Sequence, residues 1–410
     1  MEKRAVVLDI ASDFNRGDAI MQKAYGLLLQ RIDVSDVTGI GIYGYNEGRL
    51  ADSHYDESKV YFKRIFHGLR RTYNLSEKNS FTKIKNVFSL VNIWILVLLP
   101  VVIWGEQKRR YREIISELNN SDLIIWNGRN FRNRKGFGEF YDLLCFIYLP
   151  VVVLLRTRKS MVFYGVSIWP LKYKLSRALV MWLLRSPRIE VWAREQASVE
   201  VLNDYKIDNR RCMDLSFPVL SNIVKNARNN VERDIEMVLT LTDWVEDGLL
   251  YRSNYVKIIA NLVKAKATLS NPVLVLPQVY PDWESYTEIL AEIVNEIGDD
   301  RLVISIQDKL SHAELCDFYL RSKLVVTTRM HGAIFAAWCG ASVVSIAYDA
   351  GSKWSILRDL GCFETVVNFK DLTTDNLSYA LGLAKEQNVF DHNHILENIE
   401  KDLQALQEFI

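Results

Sequence analysis

The chain has 410 residues, 49% of them apolar and 25% charged, with a formal net charge of +1. That length holds two domains of ordinary size with full cores. The near-neutral balance excludes binding to nucleic acid or acidic partners driven by a whole-protein field, so any anion site must be local. Five cysteines (Cys145, Cys212, Cys316, Cys339, Cys362) lack CxxC spacing and sit in or near apolar runs, which reads as buried free thiols rather than disulfides or zinc. The apolar run Ala5–Ile10 is too short for a signal peptide and Asp9 interrupts it, so the cytoplasm is the default location.

In chain order, Ala5–Ile10 is expected to be a buried strand, followed by a loop through Asn15-Arg16-Gly17-Asp18 and a helix over Ala19–Gln30, with Asp18 as its cap. Val37–Tyr45 reads as a second strand. Residues 50–90 are polar and basic, with no period. Two apolar runs follow, Ile93–Trp104 and Phe146–Leu155, each flanked by Lys or Arg. Neither is long enough to span a bilayer. They are either core segments or a peripheral surface resting in anionic headgroups.

Ser121–Trp126 and Lys159–Val166 are further strands, and Ile189–Ala193 leads into Arg194-Glu195-Gln196-Ala197-Ser198. Residues 221–234 are polar and read as a linker. A second strand–helix series then runs from Ile235. It includes a strand at Val273–Pro277, a helix over Trp283–Ile297, a strand at Leu302–Ile306, and a helix opened by Ser311 with Glu314 at capping-box spacing. Thr374–Glu386 and His394–Phe409 are terminal helices.

The most informative stretch is Ser322–Lys353. A short β-branched strand at Leu324–Val326 is followed by Thr327-Thr328-Arg329-Met330-His331-Gly332. Next come a helix over Ala333–Cys339, Gly340 as its stop, and a strand over Ser342–Ala347. Arg329 and His331 therefore fall where a strand gives way to a helix N-terminus. Ligands of open α/β sheets bind at such strand ends, and a helix N-terminus offers N–H groups to an anion. Tyr348, Asp349 and Lys353 leave the end of the next strand. The competing reading is a helix cap and a core hydrogen bond. The other histidines lack this context: His54, His67, His312, His392 and His394 are expected on the surface. No P-loop, GxGxxG or metal-ligand pattern is present, and no cofactor or metal is expected.

This stretch resembles the signature of the polysaccharide pyruvyl transferase family. Asn15-x-Gly17-Asp18 is similar to the loop that opens those proteins. Ile189–Ser198 resembles their strand–Arg-Glu/Asp-x-x-Ser element, and Asp214-Leu215-Ser216-Phe217 their Asp-x-x-Phe segment. After Ser121–Trp126 the family usually carries Gly where this chain has Asn127, followed here by Gly128. The resemblance covers most of the chain but not residues 50–110.

The resemblance implies an α/β fold with two Rossmann-like domains facing a cleft, GT-B-like. The expected divisions are an acceptor-side domain over 1–220 with a basic, hydrophobic insertion at about 50–110, a donor-side domain over 235–390, and a helix over 391–410 packing back on the first half. The implied activity moves pyruvate from phosphoenolpyruvate, a co-substrate, to a sugar of a cell-surface polysaccharide or its lipid-linked precursor as a ketal, releasing phosphate. Carried over by position, His331 and Arg194 are the catalytic candidates. Arg329, Lys353, Asn15, Gly17, Asp18, Asn127, Gly128, Glu195, Ser198, Tyr348 and Asp349 are candidates for substrate binding. Lys353 stands two residues further from Tyr348 than the family pattern has it. The residue types fit the chemistry. An Arg fork binds carboxylate or phosphate bidentately, and His exchanges protons near neutral pH. The alternatives are a glycosyltransferase using a nucleotide-sugar donor and a non-catalytic sugar- or phospholipid-binding protein of the same fold.

Overall fold

The computed structural model describes residues 3–10, 15–43, 63–70, 94, 106–128, 130–131, 137–171, 173–227, 231–242, 249–279, 286–347, 352–386 and 391–410. The chain forms two compact units. Unit 1 is Met1–Asp13, Met21–Leu215 and Glu397–Ile410; unit 2 is Phe14–Ile20 and Ser216–Leu396.

Through the first of these the chain runs β1 (Lys3–Leu8), α1 (Arg16–Gln30), β2 (Val34–Tyr43), β3 (Lys63–Arg70), α2 (Glu106–Asn120), β4 (Leu123–Asn127), β5 (Asn130–Phe131), α3 (Phe137–Arg156), β6 (Met161–Ile168), α4 (Lys174–Leu184), β7 (Ile189–Ala193), α5 (Gln196–Asp204) and β8 (Arg210–Arg211). The strands make one parallel sheet in the order β3-β2-β1-β4-β6-β7-β8, with β5 on β6. β4 and β6 are buried along their whole length. A parallel strand covered on both faces reads as a continuous apolar run, which is why LIIW and MVFY were legible.

Several expectations change here. α1 begins at Arg16, not Ala19, because Asn15 Oδ1 accepts from the Gly17 N–H at 3.0 Å and the Asn15 carbonyl accepts from Ala19 N–H at 2.9 Å. Asn15, not Asp18, is the cap. Residues Arg16–Ile20 of this helix group with unit 2. The stretch 63–70, which has no period in sequence, is strand β3, parallel to β2. Within the run Phe146–Leu155, residues 147–154 are all buried inside α3, so this run is core. The run Ile93–Trp104 lies outside the described residues except for Trp94, whose ring meets Tyr148 edge-on at 6.1 Å.

The second series is α6 (Ser216–Ala227), β9 (Ile235–Thr240), α7 (Leu249–Lys266), β10 (Val273–Val275), α8 (Thr287–Ile297), β11 (Val303–Ser305), α9 (His312–Arg321), β12 (Ser322–Thr327), α10 (Met330–Trp338), β13 (Ser342–Ala347), β14 (Val366–Asn368), α11 (Thr374–Lys385) and α12 (His392–Glu408). The start of the expected linker is α6, which buries Phe217, Val219, Leu220 and Val224. Its apolar residues recur at helical spacing, so the polar reading of 221–234 missed a packed face. The sheet is parallel, in the order β11-β10-β9-β12-β13-β14. Numbered within the unit this is the 3-2-1-4-5-6 order of doubly wound folds. Ser311 caps α9 reciprocally with Glu314, as the spacing predicts. Gly340 takes φ +76° to end α10.

α12 belongs to unit 2 only up to Leu396. Its later residues are tied into unit 1. Glu400 pairs with Arg31 at 2.7 Å, and Asp402 accepts from Tyr164 OH at 3.1 Å, Met213 N at 2.9 Å and Arg210 at 3.1 Å. Burial holds the Asp402 carboxyl above its ordinary range.

Candidate active site

In unit 2 the strand order reverses between β9 and β12, which is where doubly wound sheets bind ligands. Both strands end there in buried threonines. Thr240 and Thr327 share a hydroxyl–hydroxyl hydrogen bond, and Thr328 Oγ1 lies 2.9 Å from Thr242 Oγ1. The Thr328 N–H and Oγ1 both reach the Thr240 carbonyl, at 3.1 and 3.0 Å. Thr327 Oγ1 then accepts from the Arg329 N–H at 3.0 Å, which turns the chain out of β12 and into α10. A Cβ at Gly332 would meet Thr327 Oγ1 at 2.7 Å and Thr240 Oγ1 at 3.3 Å, so only glycine lets the helix start this close to the strand ends.

Arg329 is the residue before α10, in an extended conformation, and no side chain caps the helix. The first-turn N–H groups thus sit at the strand ends with Arg329 and His331 beside them, both half-buried. α10 starts three residues earlier than its sequence suggests, which places His331 within the first turn.

The loop Asn15–Asp18 comes to the same place. Asn15 pairs antiparallel with Val279, and the Arg16 N–H donates to the Gln278 carbonyl at 3.0 Å, just beyond β10. Gly17 lies against His331: a Cβ on it would be 2.1 Å from the imidazole Nδ1. Asp18 is in the first turn of α1, where a carboxylate favours the helix dipole.

His312 secures this loop. It is fully buried, not exposed as expected. Arg16 donates to its Nδ1 at 3.1 Å, and its Nε2 lies 2.9 Å from the Arg16 carbonyl. Nδ1 accepts, so Nε2 carries the hydrogen and donates, which defines the neutral tautomer. Sequence reading missed Arg16 and His312. Arg16 lies inside the Asn-x-Gly-Asp motif at its variable position, and a polar helix start disguised His312 as a surface residue.

Unit 1 gathers a second group of expected residues at the carboxyl ends of β6 and β7. Arg194 donates to Ser167 Oγ at 2.9 Å, to Glu195 at 3.3 Å and to Asp214 at 3.1 Å. Glu195 also accepts from Ser198 at 2.6 Å and Ser167 at 3.0 Å. Glu195, Ser198 and Asp214 are buried, and the Arg194 side chain is 11% exposed. Burial pushes the Glu195 carboxyl up, against the pull of Arg194. Two carboxylates thus neutralise Arg194 within the unit, and its bonds define where its guanidinium lies. Asp214, which sits in the Asp-x-x-Phe segment, is the partner the sequence did not assign.

Asn127 is buried at the end of β4. A Cβ on Gly128 would lie 2.1 Å from the Gly165 carbonyl, so this glycine is required by backbone packing. Lys353, half-buried on a short 3-10 turn over Ser352–Arg358, holds its ammonium 5.7 Å from the Trp354 ring. Tyr348 and Asp349 lie outside the described residues. His392 packs edge-on against Trp338 at 4.6 Å rather than lying free on the surface, whereas His394 is exposed. The side chains of His54 and His67 are outside the description.

A sequence model described as polysaccharide pyruvyl transferase matches residues 15–350, a span that includes both groups of residues. The chain belongs to the polysaccharide pyruvyl transferase family. As a member of that family it is a polysaccharide-directed transferase. The curated proteins contain no match to it. Among solved structures this chain is similar to a putative UDP-N-acetylglucosamine 2-epimerase from Listeria monocytogenes, 11% identical, covering 99% of this chain and 98% of that one with a TM-score of 0.56. It is also similar to UDP-GlcNAc 2-epimerases from Methanocaldococcus jannaschii (10% identical, coverage 99% and 99%, TM-score 0.54) and Neisseria meningitidis (12%, 99% and 100%, 0.53). At such identities the likeness shows the fold alone, which is GT-B with two Rossmann-like domains.

Proposed function

We propose that this member of the family transfers pyruvate from phosphoenolpyruvate to a diol on a sugar of a cell-surface polysaccharide, or of its lipid-linked precursor, as a cyclic ketal. The observation that carries the reading is the convergence of Arg329, His331, the N-terminus of α10 and the Gly17 turn at the switch point of the unit 2 sheet.

The reaction adds one sugar hydroxyl oxygen to C2 of the enol while a proton reaches the methylene carbon, which becomes the ketal methyl. A second hydroxyl oxygen then forms the other C–O bond at C2 as the C–O bond to phosphate breaks. One hydroxyl proton balances the methyl and the other leaves with phosphate. His331 is the proton donor and acceptor, since a half-buried imidazole can serve both roles near neutral pH. Arg329 and the α10 N–H groups hold the carboxylate and phosphate, and they stabilise charge on the departing phosphate. Asn15, which caps the turn through the Gly17 N–H, and Asp18, which follows Gly17, are the residues of this turn assigned to substrate binding in this reading. Arg194, its charge already matched inside unit 1, orients Ser167, Glu195 and Ser198 around itself.

A second reading, glycosyl transfer from a nucleotide sugar, is favoured by the fold. The Neisseria meningitidis epimerase structure holds UDP-GlcNAc, and the same strand ends and helix N-terminus suit a diphosphate. Incubating the protein with each donor and mixed sugar acceptors separates the two. Phosphate release from phosphoenolpyruvate supports the first reading, and nucleoside diphosphate release from a nucleotide sugar supports the second.

A further inference from the structure

Residues 147–154 of the apolar run are sealed in the core of unit 1, yet the last residue of that run and the following helix expose apolar side chains. Leu155, at the end of α3, is 47% exposed. Tyr173, just before α4, is 44% exposed, Leu175 60% and Trp182 50%. Leu175 and Trp182 stand two turns apart with exposed Ala178 between them, so they form one stripe. Val180, Met181, Leu183 and Leu184 form the buried face of the same helix.

Single exposed apolar residues are ordinary. Charge sets this face apart. Residues 143–189 contain no Asp or Glu and eight Lys or Arg, in a chain whose net charge is +1. Lys174, Arg177, Arg185 and Arg158 are exposed. Arg188 donates to the carbonyls of Thr157, at 2.8 Å, and Leu154, which holds the end of α3 beside the segment that leaves α4.

We propose that α4 docks unit 1 on an anionic lipid surface, lying in the headgroup plane with Leu175 and Trp182 inward and Lys174 and Arg177 over the lipid phosphates. No helix among the described residues is long and apolar enough to cross a membrane, so the contact is peripheral. The occupant follows from charge complementarity: a cationic segment with no acid of its own and with an exposed Trp matches a continuous negative plane whose interface favours Trp. The inference does not depend on which donor the enzyme uses.

The test is co-sedimentation of the full chain with phosphatidylcholine vesicles, with and without phosphatidylglycerol. The protein is expected to pellet with the anionic vesicles at low salt and to be released at high salt. Lys174→Gln with Arg177→Gln should weaken partitioning about 25-fold, at about fivefold per charge. Leu175→Ser with Trp182→Ser should weaken it roughly tenfold or more, with melting unchanged because both side chains are exposed. A wild-type chain left in the supernatant with anionic vesicles at low salt overturns the proposal, as does equal pelleting of the variants. Self-association in sedimentation velocity, abolished by Leu175→Ser with Trp182→Ser in a chain that ignores vesicles, overturns it in favour of a protein partner.

Discussion

Gly17→Ala isolates the geometry on which the proposed chemistry rests. The new Cβ would stand 2.1 Å from His331 Nδ1, 2.4 Å from Cγ and 2.8 Å from Cε1. Carbon needs roughly 3.5 Å from a non-bonded neighbour, so the imidazole or the turn must move by about 1.4 Å. A misplacement of about 1 Å at a reacting group costs on the order of a hundredfold in rate. The backbone does not oppose alanine, because Gly17 is not at positive φ and lies in the first turn of α1. Alanine gains up to about 1 kcal/mol of helix propensity there, which offsets part of the steric cost. The expected signature is a drop of about a hundredfold in kcat/KM with little change in melting temperature. Phosphate release under steady-state conditions and thermal melting, measured on the same preparation, read both. Wild-type turnover in Gly17→Ala would remove the His331 imidazole from the reaction. A collapse of melting would make the contact structural.

His331→Asn should abolish turnover with melting retained, since the side chain is half-buried at a strand end; parallel loss of melting would recast it as a core residue. His312→Ala should lower both stability and turnover by loosening Arg16. His312→Gln, which can accept and donate at similar positions, should recover part of each; equal loss in both variants would rule out the hydrogen-bonding role. Arg194→Lys should impair turnover and destabilise unit 1, because three guanidinium contacts converge on Ser167, Glu195 and Asp214; wild-type kinetics and melting would make the fork dispensable. Burial holds Asp402 above its ordinary 3.8, so its contribution to stability is fully present below that value and is lost as pH rises through the raised one. The wild-type advantage in melting over Asp402→Asn should therefore shrink with rising pH above 3.8; a constant or widening gap would contradict the assignment.

Strands buried on both faces were readable because burial leaves only apolar residues, as in β4 and β6. β3 was not, since its residues KRIFHGLR carry no run or alternation. The strand–helix junction at Arg329 and His331 was legible from the switch of period and the Gly340 stop. Its association with Asn15–Asp18 was not, because that loop lies some three hundred residues away in sequence and only the fold brings the two together. Arg194 and its neighbour Glu195 stood out in the sequence, but the pairing of Arg194 with Asp214 did not, since Asp214 is contributed from beyond α5. Hydropathy singles out the runs 93–104 and 146–155; of these, 147–154 are buried in α3 and 93–104 lies outside the described residues apart from Trp94. The exposed Leu175 and Trp182 stand where no apolar run marks them, because which side of α4 meets the core decides their exposure.

The most direct test of the account is phosphate release by the isolated protein from phosphoenolpyruvate in the presence of sugar acceptors bearing a free diol. The account predicts inorganic phosphate in equal amount to a new pyruvate ketal on the sugar, with both signals lost in His331→Asn. Release of a nucleoside diphosphate from a nucleotide sugar, with phosphoenolpyruvate untouched, would contradict it.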